Sequence, residues 1–336
     1  MDSNVCGVVI SGRVRLARNY YDLPFSNLKA PENARLCVER AKQAMETDTA
    51  VYVLYTLREM PKVERMALME RHLISRDLLQ SSDVSAALVR RDQRVSIMVN
   101  EEDHLRIQAI VQGLELPQAA QDAFAVEDLL QDVCAFSFDP QLGYLTSCPT
   151  NTGTGMRASL MLHLPMLTRF KQMGTINQSV AKLGLTMRGI YGEGSEALGD
   201  LYQVSNQVTL GRTEQEIIEA VTAVGKQLIG MENALRERCM AQQPFELKDT
   251  IMRSYGILRY AAQMDEKEFM QHWSNLRLGA AYELIPVSLD TADELLTTAQ
   301  NAHAQRYAQQ HASNLNADRA RCEVIRAHLN PKPQEV

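Results

Sequence analysis

An α+β fold is predicted for this sequence, and three observations predict it. Apolar and polar residues alternate with period two in several segments of the first 247 residues, as half-buried strands require. Helical patterns with capping signals lie between those segments. Strand signals then stop at about Lys248, and only helical patterns continue. The expected organisation is a mixed domain over residues 1–247, an all-helical C-terminal domain over 248–329 and a flexible tail at 330–336.

Taken in order, residues 5–18 read as a strand in which Arg13 and Arg15, two apart, share one face. Two adjacent guanidinium groups fit either an anion site or a charged edge strand. Residues 34–45 read as helix, 51–54 as a short buried strand, and 61–72 as helix with Pro61 in its first turn and His72 just past its end. A lone histidine there is more often structural than functional. Residues 94–99 (RVSIMV) read as a strand. Asn100, Glu101, Glu102 and Asp103 follow, ahead of a predicted helix (HLRIQAIVQGL) whose dipole would favour acids and on which Arg106 would lie one turn beyond Glu102.

Beyond that, 121–132 reads as helix, 134–138 as strand and Asp139-Pro140 as a turn. Residues 158–164 read as strand, 165–173 and 177–183 as helices, and 186–191 and 199–210 as strands. Thr213 and Glu216 form a capping box opening a long helix, and Asp265 and Thr291 look like two further helix starts.

Composition narrows the function. The 336 residues are 45% hydrophobic and 23% charged, with a net charge of −6, which argues against a general nucleic-acid-binding surface. No run of 18 apolar residues occurs, and the first residues lack a signal-peptide pattern, so a cytoplasmic location is expected. Six scattered cysteines without a CxxC pair exclude a zinc ribbon, and no metal site is expected.

The densest chemistry lies at residues 143–165, GYLTSCPTNTGTGMRASLMLHLP. There Cys148 is a candidate nucleophile or anion-sensing thiol, Gly153 and Gly155 would allow backbone to approach a ligand, and Arg157 enters the following strand. GTG matches neither the Walker consensus nor GxGxxG, and a surface loop explains the glycines equally well. If Arg13, Arg15, Arg106, Arg157 and Arg188 converge, however, their forks suit a nucleoside triphosphate. Acidic residues Glu102 and Glu193 would then face the acceptor. Paired carboxylates suit a guanidinium, whose high pKa requires charge neutralisation and proton removal during attack. Cys148 as a thiolate would add a third negative contact.

SGRVRLARN (11–19), NEEDHLRIQ (100–108), SCPTNTGTGMRASL (147–160) and RGIYGEGSE (188–196) together resemble, in order and spacing, the catalytic domain of the phosphagen (guanidino) kinases. Within them the chain resembles the bacterial protein-arginine kinases of McsB type, because SGRVR begins at Ser11 without the family's small N-terminal domain and a helical C-terminal extension is present. The resemblance implies a mainly antiparallel sheet flanked by helices. It implies ATP binding, with Mg2+, by Ser11, Gly12, Arg13, Val14 and Arg15, by His72 and Arg106, and by Arg157, Ala158, Ser159, Leu160 and Met161. Arg188, Gly189, Ile190, Tyr191, Gly192 and Glu193 complete that set. Glu102 is implied as catalytic base, Glu193 as its partner and Cys148 as the group orienting the acceptor.

The same resemblance implies phosphoarginine on proteins as the product, a mark for a Clp-type protease. It implies a heat-shock repressor and unfolded proteins as clients, a zinc-binding activator protein and a homodimer. The family's RDxxRA phosphoarginine pocket is degenerate here: Asp318 and Arg321 match, while Ala317 and Cys322 do not. Two other activities fit less well, a kinase for a small free guanidino compound and a catalytically silent protease adaptor.

Overall fold

The computed structural model describes residues 7–25, 30–80, 83–191, 197–311 and 315–330. Its centre is an eight-stranded sheet. The strands are β1 (Val9–Arg18), β2 (Tyr52–Thr56), β3 (Ala86–Arg90), β4 (Val95–Val99), β5 (Leu105–Gln112), β8 (Met156–His163), β9 (Leu185–Tyr191) and β10 (Ala197–Asn206). A small hairpin, β6 (Phe138–Asp139) with β7 (Gly143–Tyr144), stands apart. The order β2-β3-β4-β5-β1-β8-β10-β9 puts β1 in the middle, and the neighbours pair antiparallel throughout.

Helices cover one face of this sheet. Among them are α1 (Pro31–Met45), α4 (Leu116–Val133), α6 (Met173–Lys182) and the long α7 (Glu214–Gln242); α2 (Lys62–Glu70), α3 (Arg76–Gln80) and α5 (Pro165–Arg169) are shorter connections. Val14, Leu16, Ile107, Ala109, Leu160 and Val204 project to that face and pack with Leu116, Ala123, Val221 and Leu228 in one core. Burying a side chain of this size contributes roughly 1.5–3 kcal/mol, which makes the covered face unambiguous. On the central strands the residues between them are forced to the opposite face, and they include Arg13, Arg15, Arg106 and Arg157.

Three expectations change here. Residues 105–112 form a strand and not a helix, because Leu105, Ile107, Ala109 and Val111 alternate with Arg106, Gln108 and Gln112 at period two. The acids at 101–103 therefore sit in a β-hairpin loop, and a helix dipole plays no part. The strand predicted buried at 51–54 is β2, an edge strand with Val53 and Leu54 about 40% and 39% exposed. Of the strand predicted at 134–138, only a bridge from Phe136 to Tyr20 and the start of β6 form.

The C-terminal region is helical: α8 (Pro244–Tyr260), α9 (Glu266–Ala281), α10 (Leu289–Thr298), α11 (Asn301–His311) and α12 (Ala317–Leu329). α8 contains residues on both sides of the expected boundary at 247. The Thr213 capping box opens α7, and Asp265 caps α9 through the Glu268 amide at 2.8 Å, as the sequence predicts. Ser288, not Thr291, caps α10, since the Thr291 amide is the donor to it at 3.1 Å. Trp273, Phe269, Leu258 and Leu295 centre a second core, which also takes in Met166 and Leu201 from the sheet domain. Among the described residues no helix is long and apolar enough to cross a membrane.

Buried polar groups join the two regions. Ser274 of α9 donates to Asp200 at 2.6 Å, so it accepts from His163 Nε2 at 2.8 Å, leaving His163 Nδ1 to accept from Arg277 at 3.4 Å. Arg236 and Arg277 both donate to the Gly7 carbonyl at 2.9 Å, while Arg236 pairs with the buried Glu232 at 2.8 Å. Glu232 in turn accepts from the amides of Met166 and Leu167, capping α5. Removing one member strands the other's charge. Arg236→Ala is expected to cost about 3–5 kcal/mol, measured as a lower urea midpoint.

Acid should destabilise the fold through its histidines. Burial, with Arg13 nearby, lowers His72 from 6.5 to about 4, and burial with Arg277 and Arg236 holds His163 well below 6.5. The unfolded chain then binds more protons in that window. Stability is fully present above pH 6.5 and is lost as pH falls below it, which a urea series between pH 8 and 5 would measure.

Candidate active site

The site begins with β1. Its alternation sends Val14 and Leu16 into the core and Arg13 and Arg15 to the opposite face. On the neighbouring strands Arg157 lies directly opposite Arg15, Ser159 opposite Arg13, and Arg106 opposite Ala17. Arg188 on β9 is opposite Gln203 of β10. Arg188 and Arg106 both depress the pKa of Arg157, after burial, which brings all three into one field. The five arginines expected from sequence are therefore gathered by antiparallel register.

That gathering is electrostatically unfavourable on its own. Burial first, then Arg13, Arg106 and Arg157, hold Arg15 well below its ordinary pKa, and Glu101 alone among its principal influences opposes them. A guanidinium does not deprotonate in this range, so the depression reflects the cost of burying the charge together with repulsion from its neighbours, and a bound polyanion would offset both. The Arg15 Nε is buried with no hydrogen-bond partner. Neutral or acidic groups hold three of the others: Gln203 accepts from Arg13 at 3.2 Å, Ser205 from Arg157 at 2.9 Å, and Glu101 from Arg106 and from the Ser75 hydroxyl.

A cavity of about 410 Å³ opens beside them. Arg13, Arg15, Gln108 and Gln203 line its sheet side, Met66, Met69, His72 and Ile74 its α2 side, and Glu266, Gln300 and Asn301 its helical-domain side. A smaller recess shares Arg13, His72, Met161 and Gln203 and adds Ser11, Ile110 and Ser159. His72 sits in the left-handed region at φ 61, its carbonyl accepting from Gln108 at 2.7 Å. Its depressed pKa makes it a neutral ring at physiological pH, suited to a nucleobase.

The acids divide their roles within the hairpin at 100–104. Asn100, at φ 60, donates to the carbonyls of Ala34 and Val84 and so fixes the turn. Asp103 is buried and accepts from Asn19 at 2.6 Å and from the Ser147 amide at 2.7 Å, which ties the hairpin to the loop of Cys148. Glu102 is exposed and accepts from Asn151 at 3.3 Å. Burial of its carboxyl, then repulsion from Asp103, raise its pKa, while Arg106 and a hydrogen bond from Cys148 oppose them. Cys148 Sγ lies 3.0 Å from Thr150 Oγ1. The carboxylate and thiol expected on the acceptor side therefore stand together.

Several sequence expectations are corrected. Gly12, Val14, Ala158 and Leu160 are on the core side of their strands, and period two lets them shape the site only through the backbone. The GTG glycines face neighbouring backbone at close range. Gly153, at φ 114, would put a Cβ 2.5 Å from the Thr209 carbonyl, and Gly155, at φ 59, would put one 2.7 Å from that of Ala17, so both serve close backbone packing. Gly153→Ala is expected to cost about 3 kcal/mol or more, read as a lower urea midpoint. Arg106 pairs with Glu101 and not with Glu102, since the segment is a strand. Arg321 is fully buried and donates to Ala299, Met264, Asp318 and Asn301, so with Asp318 it knits helices together and presents no open anion pocket. Gly192 and Glu193 lie outside the described residues.

Sequence reasoning missed Glu101 as the clamp on Arg106, Gln203 and Ser205 as holders of Arg13 and Arg157, and the helical-domain wall of the cavity. For Gln203 and Ser205 a signal existed, since the alternation of 199–210 places both on one face.

Two family profiles match the chain. The family profile described as ATP:guanido phosphotransferase, C-terminal catalytic domain, matches residues 35–235. A second, described as the protein-arginine kinase McsB C-terminal domain, matches 244–336. The chain is 43% identical to a protein-arginine kinase of Caldanaerobacter subterraneus subsp. tengcongensis, over 97% of this chain and 98% of that one. It is 41% identical to another from Pelotomaculum thermopropionicum, over 97% and 93%. Among solved structures it is similar to lombricine kinase, with a TM-score of 0.60 and 25% identity over 70% of this chain and 68% of that one. The substrate-free duplicated taurocyamine kinase from Schistosoma mansoni shares the fold, with a TM-score of 0.61 and 24% identity over 75% of this chain and 38% of that one.

Proposed function

Since the chain belongs to the ATP:guanido phosphotransferase family and to its protein-arginine kinases, we propose that it transfers the γ-phosphoryl group of ATP to arginine side chains of proteins, with the gathered arginines as the triphosphate site. The observation that carries this division of labour is the cluster of guanidinium groups around Arg15, opposed there chiefly by Glu101, beside a hairpin that presents Glu102 and Cys148. Phosphoryl transfer depends chiefly on positioning and charge neutralisation, and five guanidinium groups on rigid strands supply both.

In the proposed step a guanidinium nitrogen of the acceptor attacks the γ-phosphorus as the bond to the ADP oxygen breaks. Glu102 takes the proton the nitrogen must lose, and the sulfur of Cys148 orients the guanidinium. Glu193 would be the second carboxylate. Among the described residues no group of three His, Cys, Asp or Glu could hold a metal ion. Magnesium bound with the nucleotide would supply neutralisation of phosphate charge.

In the cell the product would mark proteins for a Clp-type protease in the cytoplasm, with unfolded proteins and a heat-shock repressor as clients and a zinc-binding activator as partner. A homodimer is proposed through the helical domain, where Phe245 and Tyr260 of α8 are 84% and 76% exposed.

The test is mass spectrometry, without acid in handling, of an unfolded arginine-rich protein incubated with this chain, ATP and magnesium. Phosphate on arginine side chains is the expected result. Phosphate on free arginine alone would indicate a small-guanidino kinase, and transfer to neither would leave an adaptor.

A further inference from the structure

The cavity beside Arg13 and Arg15 has a wall that does not come from the sheet domain. Glu266, in the first turn of α9, and Asn301, at the start of α11, line it from the helical domain. Their positions are fixed. The Asn301 amide nitrogen donates to Glu266 Oε2, and the Asn301 amide oxygen accepts from the buried Arg321. The start of α11 is also seated on α2 of the sheet domain, because Glu70 accepts from the amides of Ala302 at 2.6 Å and His303 at 3.1 Å.

The charges of the cavity are thus divided. The sheet strands present guanidinium groups, which bind acceptor oxygens, and the helical-domain wall presents a carboxylate, which binds donors; Glu70, occupied by the start of α11, and Arg76 line the side between them. Burial, with Glu70 nearby, raises the Glu266 pKa against Arg321, Arg76 and Asn301, so this carboxylate is favoured by any donor brought to it. A nucleoside triphosphate has matching ends. Its phosphates only accept from the protein, while its ribose carries two hydroxyl donors.

We infer that the helical domain completes the nucleotide site, with Glu266 accepting hydrogen bonds from the ribose hydroxyls and Asn301 holding that carboxylate in place. This rests on the nucleotide reading of the cavity. Bound nucleotide then bridges the two domains, and the chain distinguishes ribonucleotides from deoxyribonucleotides through a residue outside its catalytic domain.

The test is calorimetric titration of the full chain with ADP, 2′-deoxyADP and 3′-deoxyADP, repeated with Glu266→Gln and Glu266→Ala. Circular dichroism would verify that each variant is folded. A hydrogen bond to a charged group corresponds to about tenfold or more in affinity. The parent chain should bind ADP at least about tenfold more tightly than one of the deoxy analogues, and Glu266→Ala should bring that ratio to about one. Glu266→Gln should retain part of it. Equal affinities in the parent chain, or an unchanged ratio in folded Glu266→Ala, would overturn the assignment. ADP that binds without arginine phosphorylation in the mass-spectrometric assay would fault the kinase reading and leave this one standing. No ADP binding at all would overturn both.

Discussion

Glu102→Gln is expected to lose arginine phosphorylation by about a thousandfold while ADP affinity stays within about twofold, because a positioned general base supplies about 10²–10⁴ in rate. The substitution keeps shape and the Asn151 contact but removes the proton acceptor. Glu102 sits on the exposed tip of a hairpin whose other acids are occupied, Glu101 by Arg106 and Asp103 by Asn19 and Ser147. Two further readouts separate a base from a spacer. Burial and the Asp103 charge raise the Glu102 pKa, so the acid limb of the pH–rate profile should lie above that of an ordinary glutamate.

Stability gives the second readout. The folded chain holds the Glu102 proton more tightly than the unfolded chain does, so folding loses stability as pH rises through that window. Glu102→Gln should therefore be slightly more stable than the parent at neutral pH and equal to it in acid. Near-normal turnover in the variant would remove Glu102 from the mechanism.

Arg15→Met is expected to move stability and binding in opposite directions. In the free protein it removes a buried guanidinium held among Arg13, Arg106 and Arg157, with its Nε unpaired, so the melting temperature without ligand should rise. Nucleotide binding should fall by about 10–100-fold, the loss of one charge-assisted phosphate contact at about 1.5–3 kcal/mol. Saturating ATP, which should stabilise the parent strongly, would then raise the variant's melting temperature much less. An Arg15→Met chain that is less stable when free would mean that the cluster is compensated by groups other than Glu101. Such a conflict between folding and function is the mark of a binding site.

The site was legible where strand alternation and motif order carry the information. Arg13 and Arg15 two apart, and Arg157 and Arg188 on strand patterns, already imply faces, and the four-motif resemblance implied their common purpose. Glu102 and Cys148 were identified by that resemblance, and the fold brings them together. Residues 105–112 misled because a short apolar run suits either period, and taking it as helix assigned Arg106 to the wrong glutamate. Gly153 and Gly155 misled because a glycine required by backbone crowding looks the same in sequence as one required by a ligand. Glu266 and Asn301 gave no signal of a nucleotide contact, lying more than 160 residues beyond Glu102 in a region that reads as helix alone.

By itself the sequence determined the mixed sheet domain, the helical domain after it, the caps at Thr213 and Asp265, and the family. These follow from periodicity, local hydrogen bonding and motif order, all of which act along a few residues. Only the tertiary structure decided that Arg15 faces Arg157, that Glu101 and not Glu102 holds Arg106, that Arg321 is buried in helix packing, and that α9 and α11 wall the cavity. Those outcomes depend on register between distant strands and on which domain surfaces meet, and such long-range choices are set by the burial of the whole core.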